Sequence, residues 1–167
     1  MTGIRIRLVP ARPGQIRETL DGLSQIVARF GPAERRKVAD RVRLGIARNF
    51  TREGPEGWPW ASLARRTVEE RRNLGFPGEH PILQRTRELK RSWTERGHHH
   101  HSEGWGSFGG MTVLTISSDD PRVPELTEGR AYPPMPERPM HLLGDDDLQG
   151  IEDTLVWCIE TAARRGL

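Results

Sequence analysis

Four apolar residues spaced four apart, Val38, Val42, Ile46 and Phe50, most constrain this chain. One apolar residue per helical turn commits residues 33–52 to a long amphipathic helix. Gly31-Pro32 precedes it, and the loop Glu53-Gly-Pro-Glu-Gly-Trp-Pro-Trp60 follows. Two Gly and two Pro in that loop forbid regular structure, so the helix has fixed ends. Arg35, Arg36, Lys37, Arg41, Arg43 and Arg48 occupy its remaining sides.

Shorter elements surround it. Ile4, Ile6 and Leu8 alternate with Arg5 and Arg7, the period of a half-buried strand, closed by Pro10 and Pro13. From Gln15, the residues Ile16, Leu20, Leu23, Ile26, Val27 and Phe30 line another helical face, which Gly31-Pro32 ends. A third helix is predicted over about 61–74, polar except for Leu63, Val68 and Leu74. Gly75-Phe-Pro-Gly78 breaks it, and a short helix from Ile82 to Trp93 carries Leu83, Leu89 and Trp93 on one side. The Gly- and His-rich residues 94–110 read as a flexible loop or an extended hairpin tip.

Met111 to Ser117 is β-branched and alternating, hence a strand. The Pro-rich segment 121–139 is read as neither central strand nor helix. Residues 140–143 suit a short strand. Asp145, Asp146 and Asp147 supply an N-cap and negative charge to a last helix. Its apolar stripe is Leu148, Ile151, Leu155, Ile159 and Ala162, with Trp157 beside it as a core residue. The expected fold class is therefore α+β. A small antiparallel sheet of about three or four strands packs against long amphipathic helices, in one domain over residues 1–167.

Charge is split along the chain. Residues 1–100 carry 21 Lys+Arg against 11 Asp+Glu (+10), and residues 101–167 carry 5 against 12 (−7). Such a split points to nucleic acid or to electrostatic association between copies. The excess of Arg, 24 against Lys37 and Lys90 alone, fits interfaces, but GC-rich coding is the simpler account of it, while the split favours an interface. No apolar run approaches the roughly 20 residues that span a bilayer, and the N-terminus lacks the apolar stretch of a signal peptide. One cysteine, Cys158, excludes an internal disulfide framework and a Cys-rich zinc module.

The chemistry-bearing residues form no catalytic constellation. His98 to His101 is the most visible run, and His80 and His141 could assist it in holding a metal. No matching ligand spacing surrounds it, and neighbouring Gly residues leave it unheld, so a solvated loop is the simpler reading. There is no phosphate loop, no Gly-x-Ser-x-Gly and no oriented Cys–His pair. The Arg-rich helix 33–52 offers an alternative function, contact with a phosphate backbone, although it is also an ordinary polar helix face. Trp58 and Trp60, in a Pro/Gly loop, either plug onto the domain's own core or dock on a partner.

Three stretches in order carry a resemblance. The first is Ile46-Ala-Arg-Asn-Phe50, then Trp60-Ala-Ser-Leu63 and Thr67 to Arg71. The second is Ile82-Leu-Gln-Arg-Thr-Arg-Glu-Leu89 to Ser92. The third is Gly129, then Met135-Pro-Glu-Arg-Pro-Met-His-Leu-Leu143 and Asp145 to Ile151. Together, over about residues 15–165, they resemble the phage virion morphogenesis family, the tail-completion proteins of tailed phages. Three departures stand out. Arg87 stands where the family usually has Gly, Met140 replaces an aromatic, and Val123 to Glu128 replaces a Tyr-Ala and a His.

The resemblance implies a structural virion protein at the head–tail neck or tail end, not an enzyme. It would complete or terminate the tail and join it to the head as an oligomeric ring, with a hexamer expected. Implied partners are further copies of the chain, the tail tube protein and the head–tail connector. DNA would pass through without sequence readout, and no membrane, metal or cofactor is involved. The implied location is the virion, with host cytoplasm during assembly. Trp58, Trp60, Arg130, Tyr132 and Arg138 are the expected contact surface, with an intramolecular ion pair as the other reading of Arg138.

Overall fold

The computed structural model describes residues 3–5, 27–108, 111–129 and 136–165, with backbone alone at 3–5 and Met111. The fold is α+β. In chain order it runs β1 (Gly3–Arg5), α1 (Pro32–Arg52), α2 (Arg65–Asn73), α3 (Glu88–Thr94), β2 (His101–Phe108), β3 (Met111–Ser118), α4 (Val123–Glu128) and α5 (Asp145–Arg164). Expectations for residues 6–26, for Arg130 and for Tyr132 fall outside the described residues.

Helix α1 forms as its spacing requires. Val38, Val42, Ile46 and Phe50 are all buried. Gly31 stands at its N-cap with Pro32 at the first turn, where a missing N–H costs no hydrogen bond. Glu53 ends it in the left-handed conformation, and the amide of Gly54 donates to the Asn49 carbonyl at 2.8 Å. Helix α5 lies against α1, burying Ile151, Cys158 and Ala162. Gly45 lets the two approach: a Cβ there would meet Leu143 Cδ2 at 2.8 Å and Asp147 Cβ at 3.2 Å.

The sheet is smaller than three or four full strands. Its body is one antiparallel hairpin, β2 with β3, and only the three residues of β1 pair along the far side of β3. Residues 101–108, expected to be loop or hairpin tip, form the whole of β2. Their inward positions are His101, Glu103 and Trp105, the last two opposite Ile116 and Leu114, while Ser102, Gly104 and Gly106 face out. This is a period of two written in His, Glu and Gly, so no hydrophobic alternation announced it.

Four further expectations change. The Pro-rich segment contains a short helix, α4, because Pro124 falls in its first turn, where proline is tolerated. Residues 140–143 form no strand: Asn49 Nδ2 donates to the Met140 and Leu142 carbonyls at 2.9 and 2.6 Å, taking acceptors a ladder would use. The cap of α5 is Gly144, and the three aspartates occupy the first turn, where the helix dipole favours them. Trp157 is not core. It is 46% exposed, with Lys37 Nζ 3.3 Å from its ring centroid, and Leu148 at the head of the expected stripe is 47% exposed. No helix among the described residues is long and apolar enough to cross a membrane.

Candidate functional site

The three stretches that carry the resemblance meet around Phe50 and Trp60. Phe50, at the end of α1, is fully buried and meets the Trp60 ring edge-on, with centroids 5.4 Å apart. Trp60 is held from both ends. Its amide donates to the Glu53 carbonyl at 2.7 Å, and its indole Nε1–H to the Pro139 carbonyl at 3.1 Å. Arg138 closes the other side. It is buried, and its Nη2 donates to the carbonyls of Ala61 (3.0 Å) and Ser62 (3.3 Å).

The second stretch joins through Gln84 and Ile82. Gln84 Nε2 donates to the Phe50 carbonyl at 2.5 Å, and the Ile82 amide donates to Glu53 Oε1 at 2.8 Å. Further along it, Ser92 is buried beside the hairpin and accepts from Ser118 Oγ at 2.8 Å. The third stretch completes the knot: Asn49 binds the carbonyls of 140 and 142, and Arg48 Nη1 pairs with buried Asp147 Oδ1 at 2.6 Å. Among the described residues, two of the three non-glycine residues in left-handed backbone, Glu53 and Leu83, flank this knot, and Arg87 is the third.

The knot is built for rigidity. Its polar groups are buried or half-buried and mostly bonded to backbone carbonyls, which fixes loops that have no regular structure of their own. It presents no nucleophile beside a base. Trp60 therefore anchors the protein's own core, while Trp58, two residues earlier, is 51% exposed. Arg138 forms no ion pair with a carboxylate among the described residues. Its partners are carbonyls, and burial lowers its pKa below the ordinary arginine value. Arg130 and Tyr132 are outside the described residues, so the structure brings together only Trp60 and Arg138 of the five.

The histidine run is tethered residue by residue. His98 Nε2 lies 2.9 Å from Glu88 Oε2, and its Nδ1 accepts the His100 amide at 3.3 Å. His100 Nδ1 lies 2.7 Å from Asp119 Oδ1, and His101 Nδ1 lies 3.1 Å from the Ser92 carbonyl. His99 stacks between His98 and His100, at centroid distances of 4.4 and 4.1 Å. The imidazoles are thus spent on separate partners at the base of the hairpin, and no group of three metal-ligating side chains occurs among the described residues. The hydrogen bond from His98 holds the Glu88 carboxyl below its usual range.

Much of the basic face of α1 is committed internally, while Arg36 and Arg52 are exposed. Arg43 pairs with Asp40 and Glu103, and Arg48 with Asp147. Arg35 donates to the Ala28 carbonyl and lies over the Trp105 ring, and Lys37 lies over Trp157. Cations already held by carboxylates and rings have less to offer a phosphate backbone. A shallow cavity of about 440 Å³ between α2 and residues 79–82 is lined by Arg65, Glu69, Arg72, Glu79 and His80, beside Val68 and Ile82. Its charges neutralise one another in pairs, Arg65 with Glu69 and Arg72 with Glu79, which leaves no unbalanced charge to select a ligand. No protein-family model, no curated protein and no solved structure matches this chain.

Proposed function

We propose that this chain is a structural protein of a tailed-phage virion, acting at the head–tail neck or tail end by assembling into a ring. One observation carries the reading. The three ordered stretches that resemble tail-completion proteins, up to 99 residues apart at Arg48 and Asp147, converge on a single buried knot. Motifs that determine a fold should meet in space, and accidental matches have no reason to. Arg87 adds support: at the position where the family usually has Gly, the backbone is left-handed, with φ 62°.

The reading calls for contact surfaces, not a reaction centre. The charge split between the two halves of the chain suits head-to-tail contacts between copies. Electron microscopy of the purified protein, with mass by light scattering on the same sample, tests it. Closed rings of one subunit number, with a bore wide enough for a tube or DNA, are the expected result. A protein that stays monomeric alone and with purified tail tubes, or that is absent from purified virions, overturns it.

A further inference from the structure

Helix α5 carries a row of four exposed residues on its solvent side. Leu148, Glu152, Val156 and Glu160 are spaced four apart, so they line one stripe about 18 Å long at 1.5 Å per residue. Leu148 is 47% exposed and Val156 49%. Residues 145–160 hold six carboxylates and no Lys or Arg. Within the described residues only Asp147 and Glu160 of these pair with an arginine, Arg48 and Arg164. Arg164, the next residue of the row, is exposed and pairs with Glu160, so Glu152 gives the row its net negative charge, and its apolar residues are uncovered.

A second surface has the opposite character. Residues 65–87 hold six Arg against three Glu. Arg66 and Leu74 share a row on and just beyond α2, with Glu70 between them. Arg85 bridges to Glu70 at 3.3 Å and lies 6.0 Å over the Phe76 ring, which brings residue 76 beside that row. Leu74 is 56% exposed and Phe76 37%. Of the nine residues of α2, only Val68 and Arg71 are buried. With Arg85 paired to Glu70, Arg66 gives this surface its net positive charge, and its apolar residues are uncovered.

We propose that these two surfaces bind each other between copies: the α5 row of one subunit docks on the Arg66–Leu74–Phe76–Arg85 surface of the next. The proposal rests on the ring reading above and names its interface. Charge supplies the choice of occupant. Two α5 rows placed face to face would set like carboxylates against one another, and two arginine surfaces would set Arg66 against its own copy. The pairing that neutralises both is acid on base, with Leu148 and Val156 against Leu74 and Phe76. That contact is heterologous, so it repeats from subunit to subunit and closes into a ring when the rotation allows.

Charge reversal tests it in the full-length protein. The acid-reversed variant is Glu152→Arg with Glu160→Arg, and the base-reversed variant is Arg66→Glu with Arg85→Glu. All four side chains are exposed, and circular dichroism checks that each variant folds. Sedimentation of each variant alone should show association weakened by about a hundred-fold, since like charges then face each other. An equimolar mixture should assemble again, with the two variants alternating, and the four-site swap should assemble by itself. Wild-type rings that persist unchanged in both reversed variants overturn this interface and leave the ring reading standing. Reversed variants that dissociate but are not rescued by mixing or by the four-site swap also overturn the pairing. A wild type that stays monomeric alone and with purified tail tubes overturns the ring reading and the interface with it.

Discussion

The indole N–H of Trp60 donates to the carbonyl of Pro139 at 3.1 Å, across 79 residues of sequence. The bond ties the Gly/Pro loop after α1 to the Pro-rich segment before α5. Residues 53–64 and 136–144 have no ladder or helix to satisfy their backbone, so this bond, the Arg138 bonds to Ala61 and Ser62 and the Phe50 contact set their relative position. Trp60→Phe removes the donor and leaves a buried carbonyl unpaired, which costs about 1–3 kcal/mol. Trp60→Ala also opens a cavity, and a loss of about 3–5 kcal/mol is expected. Urea unfolding measures both. Trp58→Ala, at an exposed site, should change stability by less than about 0.5 kcal/mol, so any loss of assembly in that variant reports contact with a partner.

Arg138 is a buried cation whose partners among the described residues are two carbonyls and no carboxylate. Its positive charge is therefore a cost, offset by the fork of hydrogen bonds to Ala61 and Ser62. A lysine keeps the charge but loses the fork, while a methionine loses both. Arg138→Lys is expected to destabilise by about 2–3 kcal/mol and Arg138→Met by about 1–2 kcal/mol. The chemically closer substitution is thus the more damaging one. Thermal unfolding of the two variants side by side checks the order, and a milder lysine variant would refute it.

Gly45 sits where α1 and α5 come closest. Glycine within a helix ordinarily costs about 0.5–1 kcal/mol relative to alanine, so Gly45→Ala would stabilise an isolated helix. Here the new methyl would meet Leu143 and the β-carbon of Asp147. Moving Asp147 also strains its 2.6 Å pair with Arg48. Net destabilisation of about 1–3 kcal/mol is expected, from overpacking. Denaturant unfolding decides it, and a stabilised variant would mean that α5 can shift at no cost.

Legibility in the sequence followed the strength of each periodic signal. Val38, Val42, Ile46 and Phe50 make α1 plain, and Met111 to Ser117 makes β3 plain. Strand β2 was illegible because its inward face is His101, Glu103 and Trp105: Arg43 and Arg96 neutralise Glu103 from other segments. No local pattern predicts a carboxylate paired with an arginine on a helix 60 residues away. Trp157 misled for a related reason. Its stripe neighbours Leu155 and Ile159 are partly buried, but Trp157 turns toward Lys37 at the rim. Of the knot, Trp60 and Arg138 were singled out as contact residues. Asn49, Gln84 and Glu53 were not, because side-chain bonds to distant carbonyls leave no trace in spacing. Asn at a helix C-terminus before a Gly/Pro loop is the one signal that was available.

His141 gives the fold a pH dependence. Its ring stacks on fully buried Trp93 at a centroid distance of 6.4 Å, and burial lowers its pKa below the ordinary 6.5. The unfolded chain therefore binds that proton more readily than the folded one. The stability this group contributes is complete above about pH 6.5 and falls as the pH drops from there through the folded pKa. Its Nδ1 is buried with no hydrogen-bond partner among the described residues, so the neutral ring is not anchored by a bond that a substitution would break. His141→Phe should leave stability at pH 8 within about 1.5 kcal/mol of wild type and remove this slope. Asp120 acts at lower pH. Hydrogen bonds from the Arg122 side chain hold its carboxyl below the ordinary range, so its contribution is present above about pH 4 and lost on further acidification. Asp120→Asn should flatten only that acid limb. Unfolding free energies measured from pH 3 to 8 for wild type and both variants separate the two limbs. A His141→Phe profile parallel to wild type between pH 5 and 7 would show that the imidazole takes up its proton equally in the folded and unfolded states.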